Sequence, residues 1–483
     1  MKIRSVLYLL LFPIALMGAV HLGFATLSAV VFNDHVEAAF YYPALAILLG
    51  VLAMLVLLRG FDASKLGYRE ALLYAVLTWI AMGLAGAVPI ASITHVSLVD
   101  AVFESVSGLT TTGATILSGL DALPPSFLLY RQFLQWLGGL GIVIFVVAVL
   151  PMLNVGGMRL LRAEVSGPMK DDKLSPRVAG ATRALWGVYL MLTALCALCY
   201  YLAGMDIYDA VAHSFTTIST GGFSTHDASM GYFDSSAILW VSNLFMLLGA
   251  ISFALHYRIW RARHWTLYWQ DEETRAFLVV VAVMGLIITG ILYFHEKSGD
   301  IVQSLNLSVF HLISFITSTG YGAGNYVEWP LVLVFLLVVA GYLGGCAGST
   351  AGGNKFVRNI IMLKMVRREF LRMLHPKGIF TVKYQSRSIE ASVISASMAF
   401  ITLSTFTTIV ITLLLMTTGL DLLSALTATA ACINVSGPAF GELGSNFQPV
   451  SDAGTWILSG AMILGRLEYF TVLALLLPSY WKG

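Results

Sequence analysis

The sequence predicts an all-α polytopic membrane protein: four pseudo-fourfold repeats of span, pore helix and span, preceded by two extra N-terminal helices. Three observations carry that prediction. Of 483 residues, 58% are hydrophobic and 11% charged, against roughly 25% charged in a soluble domain, and the mean hydropathy is +0.82; a soluble globular protein is excluded. The apolar residues form runs such as FLVVVAVMGLIITGILYF (277–294), close to the ~20 residues of a membrane-crossing helix. The ~10-residue alternation of a membrane β-barrel is missing, which leaves helices to satisfy the backbone in lipid. Finally, a Thr/Ser-rich stretch centred on one glycine recurs four times.

Taken in order, the apolar segments predict spans near 5–31, 39–58, 71–93, 126–152, 184–204, 236–256, 276–295, 330–358, 390–417 and 455–478. That is about ten crossings. The first is read as a retained span, because its apolar run continues to about Phe32 without a small-residue cleavage site. The organisation that follows is 1–66 for the two N-terminal helices and 67–156, 157–260, 261–372 and 373–483 for pore repeats 1 to 4. Basic residues cluster at Lys2, Arg4 and Lys482 and at Arg59 to Arg69, Arg159 to Arg183, Arg258 to Arg275 and Lys355 to Arg387. The positive-inside rule makes those segments, and both termini, cytoplasmic. Acids such as Asp100, Asp121, Asp206, Asp209, Asp227, Asp300 and Asp421 fall on the opposite face, where they would attract cations.

Four shorter apolar segments of about a dozen residues lie between full spans. They read VFESVSGLTTTGAT (102–115), VAHSFTTISTGGFS (211–224), VFHLISFITSTGYG (309–322) and LTATAACINVSGPAF (426–440), in register on Gly113, Gly222, Gly320 and Gly437. Span, half-span with a glycine-centred loop, span is the layout of a potassium-channel pore module, here four times in one chain. A K⁺ ion shedding its water shell needs fixed oxygens, and an extended loop offers its carbonyls only through dihedrals that glycine tolerates. A pore helix aimed C-terminus first at the centre adds partial negative charge.

The strings GLTTTGAT (108–115), YRQFLQWLGGLGI (130–142), GGFSTHDASMGYFDS (221–235), GGCAGSTAGG (344–353) and GRLEYFTVLALLLP (465–478) resemble the Trk/Ktr/HKT superfamily of potassium transporters. The resemblance is greatest to bacterial Trk-type potassium-uptake membrane subunits and covers essentially the whole chain. It implies K⁺ as the transported ion, the bacterial inner membrane as location and no organic cofactor. It places the filter on Thr110, Thr111, Thr112, Gly113 and Ala114; on Ser219, Thr220, Gly221, Gly222 and Phe223; on Thr317, Ser318, Thr319, Gly320 and Tyr321; and on Asn434, Val435, Ser436, Gly437 and Pro438. The inner ion-coordinating carbonyls would be those of Thr111, Thr112, Thr220, Gly221, Ser318, Thr319, Val435 and Ser436. The fourth repeat departs from a symmetric filter through Asn434, Val435 and Pro438, so imperfect selectivity over Na⁺ is expected.

The eighth span contains GYLGGCAGSTAGGNK (341–355), where a continuous helix costs ~1 kcal/mol per glycine relative to alanine. A break is expected, and the resemblance makes Gly344, Gly345, Gly348, Gly352 and Gly353 a gate beneath the filter. Arg466 is placed about mid-span in the last helix, where a charge costs at least ~2.5 kcal/mol, and is read as facing the pore. The resemblance also implies a homodimer in membrane lipid, resting on a cytosolic TrkA-like nucleotide-binding (NAD, ATP or ADP) regulatory ring; no nucleic-acid partner is expected. His213 and His311 occupy pore-helix positions equivalent to Glu104, where packing or capping is expected. No catalytic constellation emerges, so the chain is not read as an enzyme. Two rival readings remain: the potassium-translocating subunit of an ATP-driven pump, which shares the four-repeat plan, and an intramembrane redox enzyme using Cys196 and Cys199.

Overall fold

The computed structural model describes residues 3–58, 67–148, 174–296 and 300–482. The repeat boundary at 156/157, Lys2, Lys297 and most of the basic segments Arg59 to Arg69 and Arg159 to Arg183 lie outside the described residues. Helices stand at all ten places where spans are predicted: Ile3–Leu27, Glu37–Leu57, Tyr68–Thr94, Pro125–Ala148, Leu174–Leu202, Ser236–Ala250, Glu272–Glu296, Leu331–Leu343, Ala391–Thr417 and Asp452–Arg466. Among the described residues, six helices are long and apolar enough to cross a membrane unbroken.

Two of the spans predicted as single helices are corrected by the structure, and the break expected in the eighth is present. The sixth turns by 97° after Ala250 into Phe253–Ala262, and the tenth by 114° after Arg466 into Tyr469–Leu476. The eighth stops at Leu343, and a helix resumes only at Phe356–Leu374. All three are the second span of a repeat, and each breaks shortly after a glycine that touches a pore helix. A Cβ added to Gly249 would lie 3.1 Å from the carbonyl oxygen of Ile218, and one on Gly465 would overlap that of Ile433. Gly138 stands in the same relation to Leu109 in repeat 1, and Gly341, less tightly, to Phe315 in repeat 3. Backbone thus packs against backbone at the inner ends of the pore helices, most closely at Gly138 and Gly465, where a side chain would not fit.

The pore helices themselves are Leu98–Thr110, Ile207–Ile218, Ile301–Ile316 and Leu422–Ile433, at ~1.5 Å per residue too short to cross a membrane. Each opens on a side-chain cap, from Ser97, Asp206, Asp300 and Asp421, that accepts backbone N–H groups of its first turn. Three of the acids expected on the outer face are therefore helix caps as well as negative charge. Around the pore helices the apolar core falls into two halves. One is built mainly from repeats 2 and 3, the other from the N-terminal helices with repeats 1 and 4.

Gly465→Ala is expected to lower the melting temperature of the purified protein. Gly460→Ala, on the same helix but facing open space, leaves it unchanged or raises it, given alanine's ~1 kcal/mol helix preference over glycine. Scanning fluorimetry in detergent checks the pair, and equal melting temperatures would remove the close-approach argument.

Candidate ion-conduction site

All four pore helices end in the same way. The N–H groups of Thr112, Gly221, Thr319 and Ser436 bond back to the carbonyls of Ser107, Thr216, Ser314 and Ala431 at 2.8 to 2.9 Å, the long-range bond of a Schellman cap. The residue before each of these donors is left-handed: Thr111, Thr220, Ser318 and Val435 have φ of 58°, 52°, 54° and 58°. The filter glycines follow two positions later, Gly113, Gly222, Gly320 and Gly437, with φ of 83°, 79°, 84° and 84°. Left-handed residues at alternate positions make successive peptide groups face the same way instead of alternating as in a strand. Val435 is the costly member, because β-branched residues avoid this conformation.

The four loops meet. A Cβ on Gly113 would strike the carbonyl oxygen of Gly221; one on Gly222, that of Thr319; one on Gly320, that of Ser436; and one on Gly437 would sit 2.7 Å from that of Thr112. Each glycine leans on the residue just ahead of the next loop's glycine, and the fourth loop closes on the first. Sequence segments about a hundred residues apart therefore form one closed ring of backbone. Above it opens a cavity of about 520 Å³ lined by all four glycines together with Arg131, His226 and Asp227.

Behind the ring, each loop is held from its own pore helix. Glu104 accepts the N–H of Ile116 at 3.1 Å and the Thr115 hydroxyl at 3.0 Å. His213 bonds the Ser224 hydroxyl at 2.9 Å, His311 accepts the N–H of Ala323 at 3.2 Å, and Thr427 accepts that of Phe440 at 3.0 Å. The equivalence of Glu104, His213 and His311 thus has a common purpose, with Thr427 standing in for them in repeat 4. Glu104 also takes Arg131, whose Nε lies 2.9 Å away, and the Arg131 guanidinium stacks 4.3 Å from the centre of Phe223, joining loop 1 to loop 2.

Beneath the ring runs the glycine-rich segment. Gly352 N–H donates to Ser318 Oγ at 2.6 Å, Gly353 N–H to Asn434 O at 3.1 Å, and Thr350 Oγ1 to Ile218 O at 3.0 Å, so it reaches repeats 2, 3 and 4. Arg466 completes the circuit. Its guanidinium donates to Thr350 O at 2.8 Å and to Gly138 O, in repeat 1, at 3.3 Å. It is the last residue of Asp452–Arg466, held at the bend that divides the predicted span.

The TrkH family of cation transport proteins matches residues 44–482. The chain belongs to that family. It is 43% identical to the Trk system potassium uptake protein TrkH of Halomonas elongata over 94% of this chain and 95% of that one. Against TrkH of Escherichia coli K12 the identity is 41%, with the same coverage. The crystal structure of the potassium transporter TrkH from Vibrio parahaemolyticus superposes with a TM-score of 0.92 at 37% identity over the whole of both chains. The family is one of transporters, so the chain is not an enzyme, and the redox reading of Cys196 and Cys199 lapses.

Several residues of this TrkH-family site escaped the sequence reading. Arg131, in the second turn of Pro125–Ala148, is 1% exposed behind the filter. Gln135 donates to Gly221 O at 2.7 Å and accepts Phe223 N–H at 3.0 Å, so one of the carbonyls assigned to the ion is also engaged from behind. A charge or amide inside an apolar helix was the available signal. His226, in the outer loop, bridges Asp121 at 2.5 Å and Asp209 at 3.1 Å through its two ring nitrogens and stacks on Tyr232. Burial pulls its pKa down, but the two carboxylates outweigh burial and leave it raised; the bond from His226 lowers that of Asp121.

A raised pKa in the folded protein means the bridge contributes fully below the ordinary imidazole value of 6.5 and is lost as pH climbs past the raised one. Melting temperature is therefore expected to fall over that rise, and His226→Gln to remove this part of the slope. Parallel pH profiles for the two proteins would refute the bridge.

Proposed function

We propose that the chain takes up potassium ions across the bacterial inner membrane, with both termini cytoplasmic, through one filter contributed by repeats 67–156, 157–260, 261–372 and 373–483. The closed ring of Gly113, Gly222, Gly320 and Gly437 is the observation that carries this reading, and the named activity of the potassium uptake proteins it resembles supplies the ion. In this reading the carbonyls of Thr111, Thr112, Thr220, Gly221, Ser318, Thr319, Val435 and Ser436 replace the inner part of the ion's hydration shell. The pore-helix C-termini, converging on the ring, add partial negative charge.

The segment Gly344 to Gly353 acts as the gate, with Arg466 as its latch. Its bonds to Ser318, Asn434 and Ile218 support occlusion directly under the filter. A homodimer and a cytosolic nucleotide-binding ring belong to the same proposal. The helix Phe356–Leu374 starts where the gate ends and exposes Leu363, Phe370 and Met373 beside Arg367, Arg368 and Arg372, so a partner gripping it could pull on the loop.

Gly113→Ser is expected to reduce discrimination of Rb⁺ over Na⁺, because the added side chain meets the Gly221 carbonyl. Uptake into proteoliposomes at equal protein measures it, and an unchanged Rb⁺/Na⁺ ratio would count against the filter assignment. Arg466→Ala is expected to raise basal Rb⁺ flux by freeing Thr350. A fall in flux from a correctly assembled variant would make Arg466 a structural tether only.

A further inference from the structure

The helix Glu272–Glu296 begins with three consecutive acids, Asp271, Glu272 and Glu273, none of which belongs to the filter or the latch. Glu273 is 2% exposed. One of its oxygens, Oε1, accepts the N–H of Ala347, inside the glycine-rich loop, at 2.8 Å. The same oxygen accepts the N–H of Val357, in the first turn of the helix after the loop, at 2.9 Å. That helix has no side-chain cap of its own, since Lys355 stands at its N-cap position, and its first N–H groups need outside partners. A buried carboxylate is tolerable only when hydrogen-bonded, and a negative charge at a helix start is favourable. Glu273 meets both conditions while pinning the body of the loop to its exit.

Its neighbours grip the cytosolic side. Glu272 pairs with Lys364 of the helix Phe356–Leu374 and accepts the N–H of Gln385 at 2.8 Å. Asp271 accepts Gln385 Nε2 at 2.8 Å. Gln385 lies in the turn of the small hairpin that pairs Lys383–Tyr384 with Arg387–Ser388, and Lys364 also reaches Lys383 O at 2.7 Å. Within three residues, one helix start therefore holds the loop, the helix leaving it and the hairpin beyond.

We propose that Glu273 is the positioning residue of the gate, and that with Glu272 and Asp271 it forms the fulcrum through which movement of the cytosolic helix and hairpin reaches the loop. This rests on the gate reading above. The test is Rb⁺ flux in proteoliposomes for the wild type, Glu273→Ala, Glu273→Gln, a deletion of Ser349 to Ala351, and that deletion combined with Glu273→Ala. Glu273→Ala is expected to raise basal flux at least tenfold, since the loss of even one charge-assisted bond shifts a two-state equilibrium by about that much. Glu273→Gln keeps an acceptor oxygen but makes both bonds neutral, so its flux is expected to lie between wild type and Glu273→Ala. In the loop deletion Glu273→Ala adds nothing, because residues that act through one element are not additive. If the alanine variant does not assemble, Glu273→Asp, which withdraws the carboxylate by one methylene, carries the same expectation at smaller size. A well-folded Glu273→Ala with wild-type flux, or one that changes flux equally with and without the loop, overturns the proposal. A loop deletion that leaves flux unchanged overturns the gate reading itself. For the cytosolic grip, Lys364→Glu is expected to shift basal flux and Lys364→Glu with Glu272→Lys to restore it. No shift in the single variant would overturn the fulcrum.

Discussion

The contact on which the rest of the structure depends is the one between each filter glycine and the carbonyl of the residue before the next. Four loops from four repeats touch backbone to backbone around a closed ring, and there is room for no side chain at the contact. Loops so exposed to a central axis cannot pair with one another as strands would. Their N–H groups must find partners behind, since an unsatisfied buried group costs about 1 to 3 kcal/mol. The Schellman bonds take one per loop, and Glu104, His311 and Thr427 take another in three of them. The pore helices are short because their work is to deliver and brace these loops.

The fourfold plan holds for the backbone and is given up by the side chains. Repeat 1 braces its loop with a buried ion pair, repeats 2 and 3 with imidazoles, and repeat 4 with a threonine hydroxyl. The ion pair is satisfied, because Glu104 receives Thr115 and Ile116 as well as Arg131, and a buried pair survives only when its remaining lone pairs are filled. Asymmetry is greatest beneath the filter. Among the described residues, three second spans bend or stop below their pore-helix glycine, and only in repeat 3 is the break occupied by a twelve-residue segment that crosses under its neighbours.

The ring was legible in the sequence because its requirement is local and repeated: a left-handed glycine must be a glycine in every copy, so Gly113, Gly222, Gly320 and Gly437 align without knowledge of the fold. The break at Gly344 was legible for a similar reason, being written in composition. The bends after Ala250 and Arg466 were not. Phe253 N–H is taken by Gly348 O across the loop, and Glu468, left-handed at the second bend, is held by Arg358 at 2.8 Å. Both partners lie about a hundred residues away in sequence, and hydropathy alone runs straight through such positions. The pairing of Arg131 was hidden for a similar reason: its charge is balanced by Glu104, 27 positions away, which only folding brings near.

The bonds that tie the loop to the filter loops and to Arg466 are individually modest. Gly352 and Gly353 each give one N–H to the filter loops, Thr350 gives its hydroxyl, and Arg466 contributes one guanidinium arm to Thr350. A net worth of about 0.5 to 1.5 kcal/mol per neutral bond, and about 1.5 to 3 for the charged one, applies when both ends can be rehydrated on separation. The groups left behind on the filter side, Ser318 Oγ and Asn434 O, would face a pore open to water once the loop withdrew, so their loss carries little desolvation penalty. Arg466 would keep Gly138 O while releasing Thr350, so its charge is never stranded. Together these bonds come to roughly 3 to 7 kcal/mol, more than the roughly 1 to 3 kcal/mol that one bound effector supplies through coupling. In the gate reading proposed above, withdrawal therefore has to be driven by several effector contacts at once or to release only part of the set.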